Sequence, residues 1–287
     1  MAVRDAPVSA QAESASRERA AIRGTTARNI NGAASIWQRE LVRFLRERSR
    51  SVTSLVQPLL YLLVFGTGLG RVVNEDQFGP GIDFQDFLLP GVIVMTVLFT
   101  SMFSGMSIVW DREFGFLKEI LVAPVSRPAV ILGKVTGGAT TACIQGLAIL
   151  IFAPIIGLSF GITGALKVIP ALIVFALAVN LLGVAIASRT QTMQAFMVIQ
   201  NFVMLPLFFL SGAIFPLADV PVWLRIGAVF DPATYAVHSI RSSLIGEIRP
   251  TRLWGDFSLN YGVDLAVLAV FGAVLFVFAV RGINKQP

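Results

Sequence analysis

The charged residues of this chain are spaced so that long stretches carry none. Between successive charges lie 20 residues (Arg50 to Arg71), 24 (Asp86 to Asp111), 32 (Lys134 to Lys167), 21 (Lys167 to Arg189), 29 (Arg189 to Asp219) and 16 (Asp264 to Arg281). A helix needs about 18 or more apolar residues to cross hydrocarbon, so five runs qualify and the sixth is borderline. Because hydrocarbon offers no partner to backbone polar groups, such runs must be helices or strands of a closed barrel, and their length selects helices. The whole chain agrees: 55% hydrophobic, 14% charged and mean hydropathy +0.75, where an average soluble domain is about 25% charged. The expected fold is an all-α integral membrane protein with six transmembrane helices.

The net charge of +6 does not point to nucleic acid, because the basic residues cluster beside the spans, where they set topology. Ten of the 23 Lys and Arg precede Ser51. With the N-terminus inside, the inner segments hold 17 basic residues and the outer ones six, so both termini are expected to be cytoplasmic. Trp37 and Trp110 then fall at the inner interface, and Trp223 and Trp254 near the outer one. The single cysteine, Cys143, rules out an intrachain disulfide.

Residues 1–30, rich in Ala, Ser, Arg and Glu without apolar periodicity, read as a disordered cytoplasmic tail without a signal peptide. Residues 31–51 bring Trp37, Leu41, Phe44 and Leu45 to one side and most of Arg39, Arg43, Arg46, Glu47 and Arg50 to the other, an amphipathic helix for the membrane surface. Residues 52–287 form the six-helix domain. Within it, 216–250 is too long for a turn and too apolar for a free loop. Two short helices separated by Asp231-Pro232 are expected there, as an outer re-entrant hairpin between the fifth and sixth spans. Asp264, at the mouth of the sixth span, reads as a snorkelling or paired acid.

The polar island Trp110 to Arg127 lies between the second and third spans. It reads as a short surface helix over 111–123, with Asp111 as cap and Pro124 as stop. Phe114, Phe116, Leu117, Ile120 and Leu121 share one arc; Asp111, Arg112, Gly115, Lys118 and Glu119 share the other. Glu113 falls on the apolar arc. It is either a first-turn acid in solvent or a charge that meets a partner or a neighbouring Arg.

No enzyme signature is present. One His (His238) and one Cys cannot form a clustered metal site, and Gly133-Lys134 is followed by Val135 without the glycine that a phosphate-binding loop needs. No catalytic or metal-ligating residue is expected, and no cofactor on this chain. The span interiors read as free of charge, unlike those of ion-coupled carriers. Thr96, Thr100, Phe103 and Ser107 form one stripe on the second span, and Met95, Phe99, Met102 and Met106 another; Gln191, Gln194 and Asn201 align on the fifth. Helix packing explains such stripes, and lining of a substrate path is the alternative. The path residues so nominated are Thr96, Phe99, Thr100, Phe103, Gln194 and Asn201.

Three pieces of the chain carry a family resemblance. They are Arg112-Glu113-Phe-Gly115 with Glu119-Ile-Leu and Pro124-Val-Ser-Arg127 leading to Leu132-Gly133-Lys134; Pro206 to Gly212 with Phe215-Pro216; and Asp231-Pro232-Ala-Thr-Tyr235 with Arg241. From about Trp37 to Arg281 the chain resembles the permease subunits of type-2 ABC exporters, such as daunorubicin-resistance, nodulation-factor and polysaccharide export permeases. The resemblance implies a bacterial inner-membrane exporter of an amphipathic, drug-like, lipid or lipid-linked glycan substrate, built from two permeases and two separate ATPases that hold ATP and Mg. It implies that Arg112, Glu113, Gly115 and Glu119, with Trp37 and Arg43 of the surface helix, couple to the ATPase. Pro232, Tyr235 and Arg241 would belong to the outer hairpin. Asp231 stands where such permeases commonly carry Asn, an equally good helix cap. An ATP-independent secondary transporter of hydrophobic compounds is the rival reading.

Overall fold

A computed structural model describes residues 8–70, 82–113, 126–156, 160–217, 220–246, 252–254 and 257–284. Its helices are α1 (Val8–Arg46), α2 (Arg48–Leu69), α3 (Phe84–Glu113), α4 (Arg127–Phe152), α5 (Ile162–Ala187), α6 (Met193–Leu210), α7 (Val222–Phe230), α8 (Pro232–Leu244) and α9 (Tyr261–Asn284). Six of these, α2 to α6 and α9, are long and apolar enough to cross a membrane. The expected sixth span is therefore present: α9 begins three residues before Asp264, and this adds the length its charge-free run lacked. A short antiparallel ribbon, β1 (Arg252–Trp254) with β2 (Phe257–Ser258), lies between α8 and α9 and is the only sheet among the described residues.

One expectation for the N-terminal region changes. Residues 8–30 continue α1 as one helix rather than an unstructured tail. Ala, Gln, Glu and Arg dominate that run, and these are strong helix formers. α1 ends at Arg46 and α2 starts at Arg48, and within α2 the first span runs from Val52 to Leu69, where the charge spacing places it. α1 runs beside the first half of α4 in the same direction. The Asn29 side chain accepts from the Ser126 N–H at 2.9 Å, and Trp37 Nε1 donates to Thr140 Oγ1 at 3.0 Å. Gly133 permits the contact, since a Cβ there would sit 2.7 Å from the Ala33 carbonyl oxygen.

α3 and α5 form the centre. α3 packs on α5, α4 and α2, and α5 also packs on α9, α4 and α8. Gly105 and Gly183 bring the α3 and α5 backbones together: a Cβ on Gly105 would meet the Gly183 carbonyl at 2.7 Å. Small residues of this kind drive helix association in lipid, where the hydrophobic effect between helices is lost. α2, α6 and α9 are peripheral, with 17%, 22% and 17% of their apolar windows buried.

Each span reverses the one before. Arg112 at the end of α3 reaches Ser188 at the end of α5, and Ser188 lies against Gly282 near the end of α9. We call this the island end. At the opposite, hairpin end, Arg241 of α8 reaches Phe87 of α3 and Tyr261 of α9 reaches Lys167 of α5. α7 and α8 are the two short helices expected, with Asp231 capping α8 through the Ala233 N–H at 2.8 Å and Pro232 in its first turn. α8 is largely buried, whereas α7 exposes Trp223 and Phe230.

Candidate functional sites: an island-end clamp and a polar-lined cavity

Arg112 and Glu113 close α3 and face the short connection between α5 and α6. Arg112 Nη1 donates to the Thr190 carbonyl at 2.6 Å and Nη2 to the Ser188 carbonyl at 3.5 Å. Glu113 Oε2 accepts from the Met193 N–H at 3.1 Å. Each charge sits at the helix end of opposite polarity, the guanidinium at the C-terminus of α5 and the carboxylate at the N-terminus of α6. Thr192 completes the α6 cap by accepting from the Ala195 N–H at 3.3 Å. Glu113 thus takes a backbone donor of its own chain, a partner that helical projection alone does not show. Gly115 and Glu119, and with them the body of the expected 111–123 helix, lie outside the described residues.

One turn before the clamp, Lys134 of α4 reaches across to α3. Its ammonium donates to Asp111 Oδ2 at 2.5 Å and to Ser107 Oγ at 3.1 Å, with the lysine side chain only 5% exposed. At the hairpin end, Asp264 is fully buried and lies 2.7 Å from His238 Nδ1. These charges lie in the first third of α4 and the first turn of α9, so the helices carry paired charge near their ends. The sequence signal was the isolation of Lys134 and Asp264 within otherwise apolar helices, each of which needs a partner once buried.

Between the end of α1 and helices α2, α3 and α4 lies a cavity of about 880 Å3. The nominated Thr96, Phe99, Thr100 and Phe103 all line it, as do Met95, Met106 and Ser107. Both stripes of α3 thus contribute to one wall, because the cavity wraps more than one side of the helix. Arg43, nominated for ATPase contact, lines the same cavity, whereas Trp37 is held against Thr140. Gln145 was not singled out from the sequence. It accepts from the Thr100 hydroxyl and donates Nε2 to Ser54 Oγ at 2.6 Å, tying α2, α3 and α4 together. Its one available signal was a lone amide in the longest charge-free run.

Gln194 and Asn201 are exposed on α6 and do not line this cavity. The nominated hairpin residues Pro232, Tyr235 and Arg241 all lie on α8, and the latter two make separate contacts. Arg241 is half-buried, donates to the Phe87 carbonyl at 3.2 Å and the Gly212 carbonyl at 3.0 Å, and sits 3.8 Å over the Phe87 ring. Burial lowers its pKa to about 9. Gly212 has φ of 71°, a conformation that glycine alone adopts freely, and this aims its carbonyl at the guanidinium. Tyr235 donates to the Val229 carbonyl at 2.7 Å and closes α8 onto α7.

Residues 33–245 match the model of the ABC-2 type transporter family. The chain belongs to that family. This ABC-2 protein is 31% identical to "Putative transport permease ycf38" of Porphyra purpurea over 86% of this chain and 87% of the relative. It is 26% identical to Nodulation protein J of Rhizobium leguminosarum bv. viciae and 28% identical to Inner membrane transport permease YadH of Escherichia coli K12, each over 74% of this chain and 82% of the relative. With six apolar helices of spanning length, the ABC-2 chain is a multi-pass membrane transport permease. The matched region contains the clamp, the cavity lining and the hairpin, and leaves out most of α1 and all of α9.

Proposed function

We propose that this permease is the membrane half of an ATP-driven exporter, working as a homodimer with two copies of a separate ATPase that carries ATP and Mg. Its substrate is amphipathic, drug-like, lipid or lipid-linked glycan, moved out across a bacterial inner membrane with both termini of the permease cytoplasmic. The observation that carries this reading is the clamp. The segment after Glu113 is the polar island on which an ATPase would dock, and Arg112 and Glu113 join its first turn to the ends of α5 and α6. A push on the island is then delivered to three helices at once, and packed helices respond by rigid-body shifts. The cavity beside that linkage supplies a place for substrate.

The buried Lys134–Asp111 pair favours a second reading, a secondary carrier that moves protons through intramembrane charges. One experiment separates the two. The permease is reconstituted with and without the ATPase encoded beside it, and export of a fluorescent amphiphile is followed with ATP or with a proton gradient. Export that needs the ATPase and ATP bears out the exporter; export driven by the gradient alone overturns it.

A further inference from the structure

The cavity has a chemical bias that the exporter reading, on which this inference rests, does not specify. Three of its threonine hydroxyls spend their hydrogens on their own helices: Thr53 donates to the Ser49 carbonyl, Thr96 to Val92 and Thr141 to Gly138, at 2.8 Å in each case. Thr100 and the Gln145 amide donate within the wall, to Gln145 and Ser54. What these groups leave for a ligand is oxygen lone pairs. At the end nearer α1, the Glu40 carboxylate lines the cavity with its side chain 13% exposed, and its Oε1 is buried without a hydrogen bond. The Arg39 guanidinium lies 3.8 Å from that oxygen and is itself half in solvent, so it screens the charge without satisfying the atom. Asp111, also in the lining, is matched by Lys134. Among the described lining residues Arg43 is the one cationic side chain, against the acidic Glu40, Glu47 and Asp111.

An acceptor-rich wall with a buried carboxylate is wrong for a phosphate or carboxylate headgroup, which calls for clustered Arg and Lys donors. It is right for a ligand that brings both a positive charge and N–H groups. Met95, Phe99, Phe103 and Met106 give the rest of the cavity a soft, aromatic surface on which flat apolar bodies of differing shape can settle. We propose that this cavity binds cationic amphiphiles that carry N–H groups, with the charged N–H end at Glu40 and the apolar body along Met95 and Phe99.

The test uses the full-length permease, without any ATPase, in nanodiscs of zwitterionic lipid. Fluorescence anisotropy follows rhodamine 6G, a cationic aromatic amphiphile with N–H donors, and 1-anilinonaphthalene-8-sulfonate, an anionic one; empty nanodiscs give the partition background. The expected result is saturable binding of the cation alone. Glu40→Gln weakens it about tenfold, the worth of one charged contact, and Met95→Trp, which fills the cavity, removes it, both variants keeping the wild-type unfolding temperature within a few degrees. Equal or tighter saturable binding of the anion overturns the proposal, as does an unchanged rhodamine Kd in Glu40→Gln or in Met95→Trp. Because no ATP is involved, the outcome is separable from the exporter reading: binding as described together with ATP-independent export sinks that reading and leaves the site, whereas ATP-driven export without this binding pattern sinks the site alone.

Discussion

Glu113, the last residue of α3, accepts the backbone N–H of Met193, the first residue of α6, at 3.1 Å across 80 residues of sequence. With Arg112 on the Thr190 carbonyl, it makes the α5–α6 connection a continuation of the island. A single dipeptide therefore holds opposite helix poles with opposite charges, and its loss should be read as loosened transmission as well as lost stability.

Replacing Glu113 by Ala removes a cap and should cost about 1 kcal/mol, the usual worth of an N-terminal capping oxygen; Glu113→Gln keeps an acceptor and should cost less. Under the proposed mechanism both variants remain folded and both lower substrate-stimulated ATP hydrolysis, Ala more than Gln. Unfolding temperature and ATPase rate, measured on the reconstituted complex, check this. Wild-type stimulation in Glu113→Ala would show that the clamp transmits nothing.

Lys134 and Asp111 are coupled, and removing one leaves the other buried without its partner. Lys134→Met alone should destabilise the permease by about 3 kcal/mol, whereas Lys134→Met with Asp111→Asn should recover much of that loss. A double-mutant cycle in detergent-solubilised protein measures the coupling. Additive effects would mean that the 2.5 Å contact contributes no net energy.

Asp231 caps α8 while buried, and burial holds its carboxyl well above the usual carboxylate range despite the Ala233 and Thr234 hydrogen bonds. The folded protein therefore keeps this proton to a higher pH than the unfolded chain does. The stability linked to it is fully present below the unfolded pKa of about 3.9 and is lost as pH rises through the folded value. Asn caps as well and carries no charge. Asp231→Asn should raise the unfolding temperature at pH 7.5, with the gain shrinking toward pH 4. A lower unfolding temperature at pH 7.5 would count against a buried carboxylate penalty.

Orientation is tested by labelling with a membrane-impermeant maleimide in a Cys143→Ala background. Ser35→Cys and Gly282→Cys should be protected in intact cells and react after permeabilisation, while the exposed Trp223→Cys reacts from outside. Labelling of Ser35→Cys in intact cells would reverse the proposed topology.

Much of this architecture is written in the one-dimensional pattern. The spacing of charges dictates six crossing helices, because a charge in hydrocarbon is costly and a helix must be some 20 residues long to cross. Asp231-Pro232 dictates the break between α7 and α8, because the acid caps and the ring fits only a first turn. The threonine and phenylalanine stripe of α3 read from its spacing as helix packing, with a path lining as the alternative, and its residues face the cavity beside α2 and α4. Tertiary structure decided what local pattern cannot encode. Projection put Glu113 on an apolar arc, yet its partner is a backbone donor 80 residues away, brought there by the packing of α3 on α5 and α6. Lys134 read as a flank and became a buried ion, because α4 continues past it beside Asp111. Gln145 looked like one amide among apolar neighbours until α2 and α3 closed around it and made it the junction of three helices. Pattern fixes which residues must leave water, since that depends on each side chain alone; which groups then satisfy one another depends on how the helices meet.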